Sequence, residues 1–202
     1  MASLNPIKKE LVFKVVFCGP GLGGKTTTLE YLHASSAPES RGQLVSLATD
    51  SDRTLYFDFL PLRLPKMRGL HVRMQLFTVP GQVHYAATRK LVLTGADGVV
   101  FVADSQYEKM QENVESFQNL NENLQVLKLD LNHIPYVLQY NKRDLPNAAP
   151  VEYLEFLLNN REVQVPSFSA AAHRCEGVFE TLNMITRMLL NKFINQSQPQ
   201  YA

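Results

Sequence analysis

The octapeptide Gly19-Pro-Gly-Leu-Gly-Gly-Lys-Thr26 follows directly on the apolar run Leu11–Cys18 and holds four of the ten glycines in a 202-residue chain. It matches G-x-x-x-x-G-K-[ST] in the context that gives the pattern meaning, a buried strand before it and a helix over 25–36 after it. Glycines let the backbone wrap so closely that several N–H groups point at one phosphate. Lys25 adds a point charge for the outer phosphates, and the Thr26 hydroxyl is placed to ligate Mg²⁺. The helix beginning there turns its positive dipole end to the same spot. Gly19, Gly21, Gly23, Gly24, Lys25, Thr26 and Thr27 are therefore assigned to a phosphate site.

Further along, the short apolar runs 97–104 and 133–140 have the continuous character of strands covered on both faces. Between them Met110, Val114, Phe117, Leu120, Leu124 and Leu127 step by three or four, as on a helix. Helices are expected also near 151–159 and from Val178 through Leu189. The stretch Thr54–Leu62 alternates with period two, placing Leu55, Phe57 and Phe59 on one face and Tyr56 and Asp58 on the other. After the turn-like segment near Lys66 comes another strand, 70–77. The pattern predicts an α/β fold with a mostly parallel, six-stranded sheet, one antiparallel edge strand and helices on both faces. It reads as one domain over 1–202 with a polar tail from about 195.

Asn141-Lys-Arg-Asp144 closes the strand before it. A carboxylate there can accept two hydrogen bonds from guanine, whereas adenine lacks the second donor and leaves Asp144 unpaired. Lys142 can cover the base with its methylenes, and Asn141 can tie this loop to the phosphate loop. Composition is ordinary for a soluble globular protein and unlike a nucleic-acid binder: the net charge is +1, with 45 % apolar residues. Two lone cysteines fit a reducing compartment. No transmembrane run, signal peptide or lipidation motif is present, so the chain is expected in the cytoplasm, reaching poles or the inner membrane surface through partners.

At this point the chain resembles the Ras-like small GTPases over essentially its whole length. The resemblance is strongest to bacterial gliding-motility polarity GTPases of the MglA type. It is carried by GPGLGGKTTTLEYL, SLATDSDRTLYFDFLPL, FTVPGQVHYAATRKLVL, GADGVVFVADSQ and IPYVLQYNKRDLPNA. The resemblance implies a GTP/GDP switch with Mg²⁺, slow by itself and stimulated by an MglB-like Roadblock-fold homodimer. It also implies effectors in the motility or polarity machinery, and a monomer when alone. By the same resemblance Thr54 ligates the metal when the γ-phosphate is present, and Gly81 contacts the nucleotide. Gln82 orients the attacking water, and Arg53 acts as an arginine finger within the chain. Ala170 in Ser169-Ala170-Ala171 offers a backbone N–H to the guanine oxygen, the usual lysine being missing.

One departure matters. Ras-like proteins have an aspartate where Thr78 stands, so another carboxylate should support the metal. Asp58 is favoured over Asp104, which ends the Walker-B-like string Val99–Asp104. The loss keeps a rival reading open, a guanine-nucleotide-dependent interaction module with vestigial hydrolysis. A small-molecule P-loop kinase is disfavoured by the Asn141–Asp144 motif. If Arg53 and Thr54 act as the resemblance implies, switching has to move strand 54–60. A slip of two residues preserves its faces; a slip of one inverts them.

Overall fold

The structure, a computed structural model, describes residues 3–48, 54–67, 69–81 and 86–197. Arg53 and Gln82 lie outside them. Three strands form the centre: β2 (Glu10–Cys18), β6 (Gly98–Asp104) and β7 (Tyr136–Asn141). All side chains of β6 and β7 are buried, as continuous apolar runs require in a sheet covered on both faces. β2 pairs in parallel with β6 and with β5 (Leu70–Thr78); β7 carries the short β8 (Ser167–Ser169) on its far side. β4 (Thr54–Met67) returns antiparallel to β5 through the turn near Lys66.

Two short strands extend the expected six to eight. β1 (Ser3–Asn5) folds back antiparallel on the start of β2, and β3 (Val45–Ala48) lines the outside of β4. The antiparallel edge is therefore β3, with β4 one place in. Its pairing is irregular. Val45 faces Phe59 and Ser46 faces Asp58, but Ala48 faces Thr54, so β4 spends two residues more than β3 between these pairs.

Helices α1 (Lys25–Ser35) and α5 (Val178–Ser197) cover one face of the sheet. There Phe13, Phe17, Leu29, Leu32, Leu60 and Ile185 form one core. α2 (Ala86–Leu93), α3 (Met110–Val126) and α4 (Val151–Leu158) belong to the other face, where Phe101, Leu120, Leu124, Tyr136 and Leu154 form the second. The period-two reading of β4 holds for Phe57, Asp58 and Phe59, while the side chains of Leu55 and Tyr56 lie outside the described residues. Leu60 and Leu62 join the α1 side, while Phe57 and Phe59 pack against Phe77 at ring separations of 5.9 and 4.7 Å. No helix among the described residues is long and apolar enough to cross a membrane.

Candidate functional site

The carboxyl ends of β2, β6 and β7 meet at one end of the sheet, and every described motif residue lies there or in the loops that follow. Gly24 precedes α1 with φ of +95°, a conformation L side chains rarely adopt, and an added Cβ would strike the Asn141 amide. Asn141 donates from Nδ2 to the Gly23 carbonyl at 2.9 Å and accepts from the Ala172 N–H at 2.9 Å. One buried side chain thus fastens three loops together. Gly81 is as constrained: a Cβ there would collide with the backbone of Pro20 and Gly21, so the segment after β5 lies directly on the phosphate loop.

Lys25 is buried, and its ammonium donates to the carbonyls of Gly19 (3.0 Å) and Pro20 (2.6 Å). Burial pushes its pKa down to about 8; Asp58 pulls up, while Arg89 and Lys142 push down. Below pH 8 the charge is already in place to meet a polyphosphate. Above it, binding must draw in a proton, and affinity is expected to fall by up to about tenfold per pH unit. Titration calorimetry with GDP at about pH 8.5, in buffers of different ionisation heat, should register net proton uptake that is absent at about pH 7.

Asp58 is completely buried on β4, and its carboxylate gathers hydroxyls. Thr26 and Thr78 donate to Oδ2, both at 2.6 Å, and Ser46 donates to Oδ1. The Thr78 oxygen in turn accepts the Asp58 N–H at 2.9 Å. Thr78 therefore stands beside a carboxylate rather than supplying one. Asp104 is equally buried but differently engaged. It pairs with the Lys142 ammonium at 2.6 Å and accepts the Gln106 N–H, contacts in the loops that follow β6 and β7. No group of three or more His, Cys, Asp or Glu among the described residues is arranged to hold a metal. A single carboxylate with a neighbouring hydroxyl, both hard oxygen donors, is the set Mg²⁺ uses when phosphates complete its shell. These residues fit that ion.

A cavity of about 200 Å³ opens between Leu22, Gly24, Thr27, Lys142, Asp144 and His173. The Asp144 side chain is only 6 % exposed, and its Oδ1 is buried with no hydrogen-bond partner among the described residues. Such an atom is costly to leave unmade unless a ligand supplies the donor. The other oxygen, Oδ2, lies 3.4 Å from the His173 ring and 4.0 Å from Arg174. The Ala170 N–H, expected to face a base, is instead given to the Tyr140 carbonyl at 2.8 Å within the β7–β8 pairing.

Sequence reasoning gave no role to His173 and Arg174, although only Ala172 separates them from the Ser169–Ala171 stretch it had marked. It missed Arg89 too. That side chain is 8 % exposed on α2, reaches toward the Pro80 carbonyl, and lines a cavity of about 670 Å³ with the phosphate loop and α3. Its only sequence signal is a position one turn before the apolar Val92 and Leu93.

The profile of the Ras family matches residues 14–191, from the first central strand into α5. The chain belongs to the Ras family. It is also 52 % identical over 192 residues to the mutual gliding-motility protein MglA of Myxococcus xanthus (strain DK1622), an alignment spanning 95 % of this chain and 97 % of that protein. In this Ras-family small GTPase position 78 is a threonine, whose hydroxyl rests on the Asp58 carboxylate.

Proposed function

We propose that the chain is a GTP-hydrolysing switch that cycles between GDP and GTP states to regulate bacterial cell polarity and surface motility. The observation that carries this is the buried, unpartnered oxygen of Asp144 at the mouth of the base cavity, the acceptor a guanine ring satisfies. The role in polarity rests on the likeness to MglA, as does the proposal of a Roadblock-fold homodimer of the MglB kind as activating partner. Recruitment to poles or membrane, and contact with motility effectors, are proposed on the same ground.

Each residue has a part. The amides of Gly21, Gly23 and Gly24 and the Lys25 ammonium bind phosphate oxygens, Lys25 exchanging two internal carbonyls for the ligand. Thr26 and Thr54 would hold Mg²⁺ with Asp58 behind them; the ion supplies charge neutralisation at the phosphates. Gln82 orients the water, and Arg53 offsets the charge that develops as the bond to the terminal phosphoryl group breaks. Asp144 reads the base, Lys142 covers it, and Asn141 keeps the loops in register.

The metal assignment has its own test. Asp58→Ala removes the acceptor shared by Thr26, Thr78 and Ser46, whereas Asp104→Ala removes the partner of Lys142. Asp58→Ala is expected to weaken Mg²⁺-dependent GTP retention by about 10- to 100-fold, and nucleotide off-rates should respond to a chelator far less than in the parent. Asp104→Ala should leave the chelator response intact. The opposite ranking transfers the role to Asp104. For the function as a whole, phosphate release is measured with and without a purified Roadblock-type partner. Stimulated release supports the switch; strict GTP binding with no release in either arm favours an interaction module.

A further inference from the structure

The end of the sheet remote from the nucleotide carries two turns, one joining β1 to β2 and one joining β4 to β5. They are fastened together: Glu10 pairs with His71 across β2 and β5, and the His71 N–H donates to the Lys9 carbonyl at 2.7 Å. The first turn is held by the Asn5 side chain, which accepts the Lys8 N–H at 3.0 Å. At its apex Ile7 is 93 % exposed, with Lys8 and Lys9 exposed beside it. The second turn presents exposed Lys66 and, 39 % exposed, Met67.

Charge is segregated here. Among the described residues, 3–10, 63–67 and 69–73 contain Lys8, Lys9, Arg63, Lys66 and Arg73 against the single acid Glu10. These segments thus hold +4 in a chain whose total is +1, and the remainder is −3. Glu10 is itself spent on Arg73, at 2.6 Å. A turn that only needed solvation would use its lysines and have no need of isoleucine at the apex. A projecting apolar residue ringed by ammonium groups suits a bilayer interface, where the apolar tip enters the acyl boundary and the cations stay among headgroups.

We infer that this end of the sheet docks on an anionic lipid bilayer. Neither turn has an aromatic side chain, which separates this surface from a base-stacking nucleic-acid platform. Docked this way, the protein turns its nucleotide end away from the membrane, leaving the switch loops open to soluble partners.

The test is co-sedimentation of the full-length, GDP-loaded chain with vesicles of phosphatidylcholine alone, or of equal parts phosphatidylcholine and phosphatidylglycerol. Binding is expected only to the anionic vesicles and should collapse between ~0.05 and ~0.5 M salt. Each cation near the leaflet raises partitioning about fivefold, so the double variant Lys8→Glu/Lys9→Glu should lose at least about 20-fold. Ile7→Ser should lose severalfold with an unchanged salt dependence. GDP affinity should be parental in both variants, which shows that they are folded. Parent-like partitioning of either variant, equal binding to neutral vesicles, or binding to a DNA duplex but not to anionic vesicles overturns the inference.

Discussion

Arg53→Ala is expected to bind GDP and GTP like the parent and to lose partner-stimulated turnover by about 10³-fold or more. A guanidinium that meets charge only as the phosphoryl bond loosens contributes to the barrier and little to ground-state affinity. Its place in the chain gives the idea a mechanical basis. Arg53 is attached to Thr54, the first residue of β4, and four residues on Asp58 accepts the Thr26 hydroxyl. Under the proposed function, a partner that pressed on the loop before β4 would need to seat only this strand to bring the finger with it. Gln82→Ala should behave alike, and the double variant should be scarcely worse than either single one, since the two act as a unit. Single-turnover phosphate release with saturating partner decides the matter. Parent-like stimulation of Arg53→Ala would assign the finger to the partner.

Asp144→Asn is expected to shift base preference from guanine toward xanthine, with guanine affinity falling on the order of 10⁴-fold. The buried Oδ1 that now lacks a partner would become an amide donor facing another donor, while xanthine presents an acceptor at that position. The neighbouring His173 and Arg174, on the Oδ2 side, do not supply the missing contact. Competition titrations with GDP and XDP read the effect directly. Unchanged GDP affinity in this variant would remove the basis for guanine recognition.

The central strands and the strand-to-helix turn at Gly19–Thr26 could be read from the chain because their signals are local. Four glycines, a lysine and a flanking apolar run mark that turn without reference to anything distant. Asp58 was legible only by half. Period two placed it opposite Phe57 and Phe59, but a polar residue on a strand face reads as solvated until α1 is seen to lie over it. Asp104 ends a literal Walker-B-like string, but its carboxylate is engaged by the Lys142 ammonium. β1 and β3, of three and four residues, are too short to carry a period. Arg89 was missed because helix periodicity treats arginine as outward-facing, whereas here the chain after β5 supplies a carbonyl for it to reach.

The irregular pairing of β3 with β4 is, in the language of crystals, a dislocation. Two registers of the same strand pair lie end to end, offset by two residues. A row of atoms that slides as a whole must break every bond at once, whereas a dislocation glides by exchanging bonds only at its boundary, as a ruck crosses a carpet. Two residues amount to about 7 Å of travel, and an even step leaves each side chain on its own face. The next pair at that boundary is Ser46 with Asp58, one of the hydroxyl donors to the buried carboxylate. Gliding the defect past it would carry Thr54 along the sheet edge and, in the same motion, unhook Ser46 from the carboxylate that also accepts the Thr26 hydroxyl.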